Sequence, residues 1–298
     1  MFQLFLFIST VFIGGYAMPL PFTRELYVTS PMMQGNDVLI MQNLIIRDDA
    51  VDDSLVADGV FGDKTGDAVT DFQVANNLEG TGVFDDTTAS LLLDLHSADG
   101  VKDTGFTAAS MGYLYKLYIP VHYNRSIETR GILYDAENNQ LMDFQVRAHG
   151  HRDDGSSAEW PDMGNGDVGL NEFTSNGNTV TGLWEVDLNS PEPDPALYGP
   201  WPVNRLIHGL EGNAQFMTPY IRDGMLLHTG NWTSAEGGWD PTMNMPNSAG
   251  CLHSHPSEVE RIYQTLVSIG VKVNDNTFSG KDYPYKPQGV AVVELLQD

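Results

Sequence analysis

The sequence predicts two units: a small all-α module of three helices, then a mostly-β domain with one helix directly after its single cysteine. Three observations carry this reading. Apolar residues recur at helical spacing between positions 35 and 95. From Tyr113 onward the chain changes to short β-branched and aromatic runs separated by Gly, Asn, Asp and Pro. Between them, residues 98–112 are small and polar and read as a linker, giving units at 30–97 and 113–298.

The chain begins with "FQLFLFISTVFIGGYA", an apolar run ending in small residues before a break after Ala17. That is the pattern of a signal peptide over residues 1–17. The run is short for a membrane span. No Lys or Arg precedes it, so an uncleaved anchor is the alternative reading. No later stretch is apolar enough to cross a bilayer, so no membrane association is expected once the signal is removed. The net charge of -25 repels phosphate backbones and anionic lipids and argues against nucleic acid as a partner. Asn124-Arg125-Ser126 and Asn231-Trp232-Thr233 are glycosylation acceptor patterns, relevant only in a host that glycosylates.

In the helical unit, "GNDVLIMQNLII" starts after Gly35, with Asn36 or Asp37 expected to cap and with Val38, Met41, Leu44 and Ile45 on one face. "DGVFGDKTGDAVTDFQVANNL" turns around Gly59 and Gly62 and opens a second helix, capped by Asp63 or Thr65, with Ala68, Val69 and Phe72 inward. "GTGVFDDTTASLLLDL" repeats the device: a glycine turn, a buried Phe, and Asp85 or Thr87 as cap. With Gly35, Val38, Gln42, Asp58, Gly59, Phe61, Gly62, Thr65, Phe72, Gln73, Gly82 and Thr88 in place, this stretch resembles the three-helix peptidoglycan-binding domain of cell-wall enzymes. The resemblance implies peptidoglycan as partner and a wall location.

In the second unit, "YLYKLYIPVHY", "TRGILYDA", "LMDFQVRAHG", "VTGLWEVDL", "GMLLHTG" and "GVAVVELL" read as strands. "HPSEVERIYQTLVSIG" reads as a helix, with Pro256 in its first turn, Glu258 at its positive end and Gly270 as its stop. Long loops at 151–178 and 189–202 could wall a groove. The proline-rich "SPEPDPALYGPWP" in the second is expected to be neither helix nor central strand.

Cys251 is the only cysteine of 298 residues. Exported chains usually use cysteines in pairs. A lone thiol is a buried inert group, an intermolecular bridge or a reactive group. Gly250 lets backbone approach a substrate, N–H groups there could hold an oxyanion, and the following helix could aim its positive end at the thiol. His228 ends a probable strand, where a rigid element can present an imidazole; His208, His253 and His255 are further candidates.

The segment from Met225 to Val273 resembles the L,D-transpeptidase catalytic domain, which carries a strand-end His and then a Ser/Thr-His-Gly-Cys loop. Met225-Leu226-Leu227-His228 matches the first part, Ser248, Gly250 and Cys251 with Leu252 the second; "GVKV" and "TGLWEV" match strands of that family. The resemblance implies Cys251 as nucleophile, His228 as base oriented by the Thr229 carbonyl, and an acyl-enzyme passed to an amine or to water, without cofactor or metal. Ser248 is expected to orient the loop, and His253, Trp232 and His208 to contact substrate. Three features depart from the family pattern. Ala249 stands where it has His, His253 where it has Asn or Arg, and the loop from His228 to Ser248 is longer.

Two other readings stand beside this one. The domain could be a decayed, non-catalytic binder, as Ala249 suggests. Or it could be a zinc peptidase, using the alternate pairs His149-x-His151 and His253-x-His255 with Asp153 or Asp154.

Overall fold

The computed structural model describes residues 18–96, 101–151, 170–232, 240–276 and 283–296; the expected signal peptide lies outside them. The helical unit comprises β1 (Met33–Gln34), α1 (Asn36–Ile45), β2 (Val60–Phe61), α2 (Asp63–Ala75) and α3 (Asp86–His96), with β1 and β2 antiparallel. Val38, Met41, Leu44, Phe61, Val69, Phe72 and Leu92 fill its centre. It begins earlier than position 30: Phe22 and Leu26 are fully buried, Phe22 packs edge-on to Phe84 at 4.8 Å, and Leu26 bridges Phe84.

Two buried glutamines build the repeated device. Gln42 Oε1 accepts from the Asp58 and Gly59 amides, and its Nε2 donates to the Val60 carbonyl and Thr65 Oγ1. One helix later in the chain, Gln73 Oε1 accepts from the Thr81 and Gly82 amides, and its Nε2 donates to the Val83 carbonyl and Thr88 Oγ1. Each amide side chain thus supplies the partners that a buried turn backbone needs. The caps differ in part from expectation. Gly35 and Gly62 precede α1 and α2 and have no side chain to cap with. Asp85 does cap α3, accepting from the Thr88 amide at 2.8 Å.

The second unit is a mostly-β, barrel-like domain. It contains β3 (Tyr115–Val121), β4 (Thr129–Asp135), β5 (Gln140–Val146), β6 (Gly182–Asn189), β7 (Val203–Glu211), β8 (Leu226–His228), β9 (Leu252–His253) and β10 (Gly289–Leu295). Three helices join them: α4 (Pro195–Tyr198), α5 (Asn213–Met217) and α6 (Pro256–Ser268). The sheet runs β5-β4-β3-β10-β6-β7-β8-β9. The terminal C-strand β10 inserts between β3 and β6, parallel to the first. Just past β5, Arg147 and His253 exchange both backbone hydrogen bonds at 2.9 Å. This pair joins the two outer strands and closes the sheet into a barrel.

Three expectations need correction. The proline-rich loop does contain a helical turn, α4, because Pro195 sits at its start, where no N–H is needed, and Asp194 caps it. "GVKV" forms no ladder; a single bridge joins the adjacent Asn274 to Asn189. Residues 101–112 are more than a spacer. Ala108 is fully buried with Leu183, Val290 and Val292, while Val101 and Phe106 pack against that cluster. Buried Lys116 reaches from β3 to Asp103 at 2.9 Å and to the Phe106 carbonyl.

Replacing Gln73 by Ala should strand buried turn amides and hydroxyls and lower stability by about 3 kcal/mol. Urea unfolding of the full chain checks this. Gln264→Ala, on the exposed face of α6, should leave the midpoint unchanged.

Candidate active site

The barrel seam builds the site. β8 and β9 pair in parallel, Leu227 opposite Leu252 and His228 opposite His253. Cys251 immediately precedes β9 and therefore lies beside the strand that ends in His228. A cleft of about 300 Å³ is lined by His151, Leu197, Tyr198, His228, Ser248, Ala249, Cys251 and His253. Leu197 and Tyr198 come from α4, so that part of the 189–202 loop does form a wall.

His228 is buried, and its Nδ1 lies 2.6 Å from the Thr229 carbonyl. A carbonyl only accepts, so Nδ1 carries the proton and Nε2 keeps its lone pair. Its ring stands edge-on to His253 at 4.7 Å and lies 5.0 Å from Tyr198. Gly199, at φ +75°, ends α4 against Thr229, where a Cβ would come within 2.4 Å of the Thr229 methyl. Burial pushes the His228 imidazole down to about 4. His253, equally buried, is pushed well down by burial and by His228; its Nδ1 donates to the Pro246 carbonyl at 2.7 Å.

Cys251 is half-buried. Its thiol points to the Gly224 carbonyl at 3.7 Å, and no hydrogen bond joins it to an imidazole among the described residues. Burial pushes it up to about 11, opposed by the Leu226 backbone and by the charges of Arg222 and Arg205. Thiol and imidazole are therefore both neutral at rest near pH 7.

The loop before Cys251 is held by Ser248. Its Oγ donates to the Cys251 carbonyl at 2.6 Å and accepts from the Gly250 amide at 3.1 Å. That occupies the Gly250 N–H, one of the two amides expected for an oxyanion. The structure brings Cys251, His228, Ser248 and His253 to one cleft. It does not bring His208 there: that residue sits on β7 with its Nδ1 2.8 Å from Glu185, which also accepts from Tyr113. Trp232 is buried rather than lining the cleft; it packs on Met245 and lies 4.9 Å from the His253 ring.

Of the pairs proposed as zinc ligands, only His151 and His253 share the cleft lining. His149 Nδ1 donates to the Gly150 carbonyl, and His255 precedes α6 as its N-cap. No group of three His, Cys, Asp or Glu that could hold a metal ion occurs among the described residues, and Asp153 and Asp154 lie outside them. No described helix is long and apolar enough to cross a membrane.

Sequence reasoning missed Arg222, whose buried guanidinium contacts the cysteine loop. It lies six positions before His228 in an otherwise unremarkable turn, and the carbonyls it meets among the described residues lie at 172–178 and at Ala249, a pattern that no local spacing signals.

The family model for a peptidoglycan binding domain matches residues 34–92. The helical unit is a peptidoglycan-binding domain, which makes peptidoglycan the partner it supports. No curated protein matches the chain. A solved structure, a fused Zn-dependent amidase/peptidase/peptidoglycan-binding domain-containing protein from Clostridium acetobutylicum ATCC 824, is 14% identical with a TM-score of 0.23. That match spans 91% of this chain and 99% of the other, and at this TM-score it carries no argument.

The buried neutral histidine makes stability depend on pH. Between about 6.5 and about 4 the unfolded chain binds a proton that folded His228 refuses. Stability is therefore full above that window and falls through it on acidification, by about 3 kcal/mol for this group. Thermal midpoints from pH 7 to pH 4.5 should fall more steeply in the native chain than in His228→Gln. Equal slopes would show that His228 is not held neutral.

Proposed function

We propose that the chain is an exported, wall-anchored acyltransferase or hydrolase of peptidoglycan stem peptides, an L,D-transpeptidase or L,D-carboxypeptidase with Cys251 as nucleophile. The observation that carries this reading is the sharing of one cleft by the chain's only thiol and a buried histidine whose tautomer is fixed by the Thr229 carbonyl. A peptidoglycan-binding domain in the same chain supplies the substrate class.

The chemistry begins with the thiol leaving the Gly224 carbonyl and turning to His228. Sγ attacks the carbonyl carbon of a stem-peptide residue while His228 Nε2 takes the thiol proton. The Cys251 amide stabilises the developing oxyanion, since the Gly250 amide is engaged by Ser248. The C–N bond breaks, the amine leaves with the proton from His228, and a thioester remains. An incoming amine gives a cross-link; water gives a trimmed stem. In both, His228 removes the proton of the attacking group and returns it to sulfur.

A non-catalytic wall binder is the second reading. The resting thiol favours it, being directed at Gly224 and pushed up to about 11. Intact-mass spectrometry after incubation with disaccharide-tetrapeptide separates the two. The enzyme should show an acyl adduct on Cys251 and a cross-linked or shortened product. Cys251→Ala should lose the adduct, cut turnover by about 10⁴-fold or more, and still sediment with insoluble sacculi. Absence of both adduct and product in the native chain, with sedimentation retained, would leave the binder.

A further inference from the structure

Arg222 is held rigidly. It follows α5 through a turn in which the Ile221 and Arg222 amides both donate to the Met217 carbonyl at 2.8 Å. The residue is 6% exposed. Its Nη1 donates to the Glu172 carbonyl at 2.6 Å and the Asn178 carbonyl at 2.8 Å. Its Nη2 donates to the Gly177 carbonyl at 3.0 Å and to the Ala249 carbonyl at 3.3 Å, two residues before the thiol. The guanidinium lies so close to the cysteine loop that a Cβ on Gly250 would fall 1.9 Å from Nη2. Gly250 also has φ +106°, so two independent constraints require glycine there.

We propose that Arg222 is the positioning residue of Cys251: it pins the nucleophile loop through Ala249 and supplies the positive potential in which the thiolate and the oxyanion form. This deepens the reading of Cys251 as nucleophile and rests on it.

The groups facing the thiol support the assignment. Arg222 and Arg205 favour its anion and Glu192 opposes it. Arg205 and Glu192 are ion-paired with each other, so their effects at Cys251 largely cancel. The Glu172, Asn178, Gly177 and Ala249 carbonyls orient the guanidinium beside the cysteine loop. Neutral His228 and His253, with His151 and the Tyr198 phenol, complete the lining. A guanidinium suits the task because its planar fork can reach several carbonyls and remain charged at all working pH values.

The test reads the local potential directly, without turnover. The full chain is alkylated at Cys251 by anionic iodoacetate and by neutral iodoacetamide, between pH 7 and pH 9.5. The ratio of the two rates cancels thiolate fraction and accessibility to first order. In Arg222→Gln the ratio should fall about 3-fold or more, and the iodoacetamide rate should also fall about 3-fold for each pH unit by which the thiol rises. In Arg222→Lys, which keeps the charge and loses the fork, the ratio should stay within about 2-fold of the native value. Circular dichroism and thermal midpoints establish folding. An unchanged ratio in folded Arg222→Gln overturns the proposal. If that variant unfolds, Arg222→Lys decides: a preserved ratio supports the proposal and a collapsed ratio overturns it. Unfolding of both variants overturns it in favour of a purely structural pin. A native chain that alkylates as described but forms no acyl adduct would fail the catalytic reading and leave the electrostatic one intact.

Discussion

The site depends on the reciprocal backbone pair between Arg147 and His253. β9 is two residues long and would be a weak edge strand by itself. Clamped between β8 and Arg147, it has partners on both sides, and His253, Leu252 and Cys251 inherit a fixed position. The Arg147 side chain reinforces the seam. It is buried, and its Nε and Nη2 both donate to Asn247 in the loop that leads to Cys251. The same closure sets where α6 starts, and Glu258 in its first turn accepts from the Gln145 amide on β5. Each bond is worth about 1 kcal/mol net, yet together they decide whether the cleft has a floor.

The environment that fixes these groups also quiets them. Burial disfavours both the thiolate and the imidazolium. A site in this state is shielded from stray electrophiles and oxidants, since the thiolate is the reactive form. On the proposed function, chemistry would require a change at the moment of binding: displacement of the thiol from Gly224, and a charge in place to receive the anion. Ser248 and Arg222 both hold the loop backbone, one through Cys251 and Gly250, the other through Ala249. The side chain can therefore turn on a fixed main chain.

Much of the helical unit was legible because its rules are local. Glycine turns, buried Phe61 and Phe84 and the inward face of each helix are written in consecutive residues, and the family match covers them. The barrel strands and α6 were legible for the same reason. What escaped was non-local. The contributions of Phe22 and Leu26 to the module core depend on Phe84, far along the chain. Residues 101–112 look like a spacer because small polar residues hide Val101 and Phe106, whose partners lie on β6 and β10. Trp232 looked like a groove aromatic but fills the space behind His253. His208 ends up beside Glu185 because β6 and β7 pair it there. Arg222 was invisible for the strongest version of this reason, since the carbonyls it meets among the described residues belong to other loops.

One contact between the units has a mechanical meaning. Arg47, just after α1, donates to Asn213 at 2.6 Å and lies 4.9 Å from the Phe216 ring centre, both on α5. Asn213 donates in turn to Glu172, whose backbone carbonyl accepts from Arg222. The helical unit and the cysteine loop are thus linked through Arg47, Asn213, Glu172 and Arg222. A leashed catalyst would sweep every stem within the radius of its tether. On the proposed function, a docked one would work like a stencil: where the anchor lands on the glycan would dictate which stem meets the cleft, and the anchor's residence time would set how long each address is served.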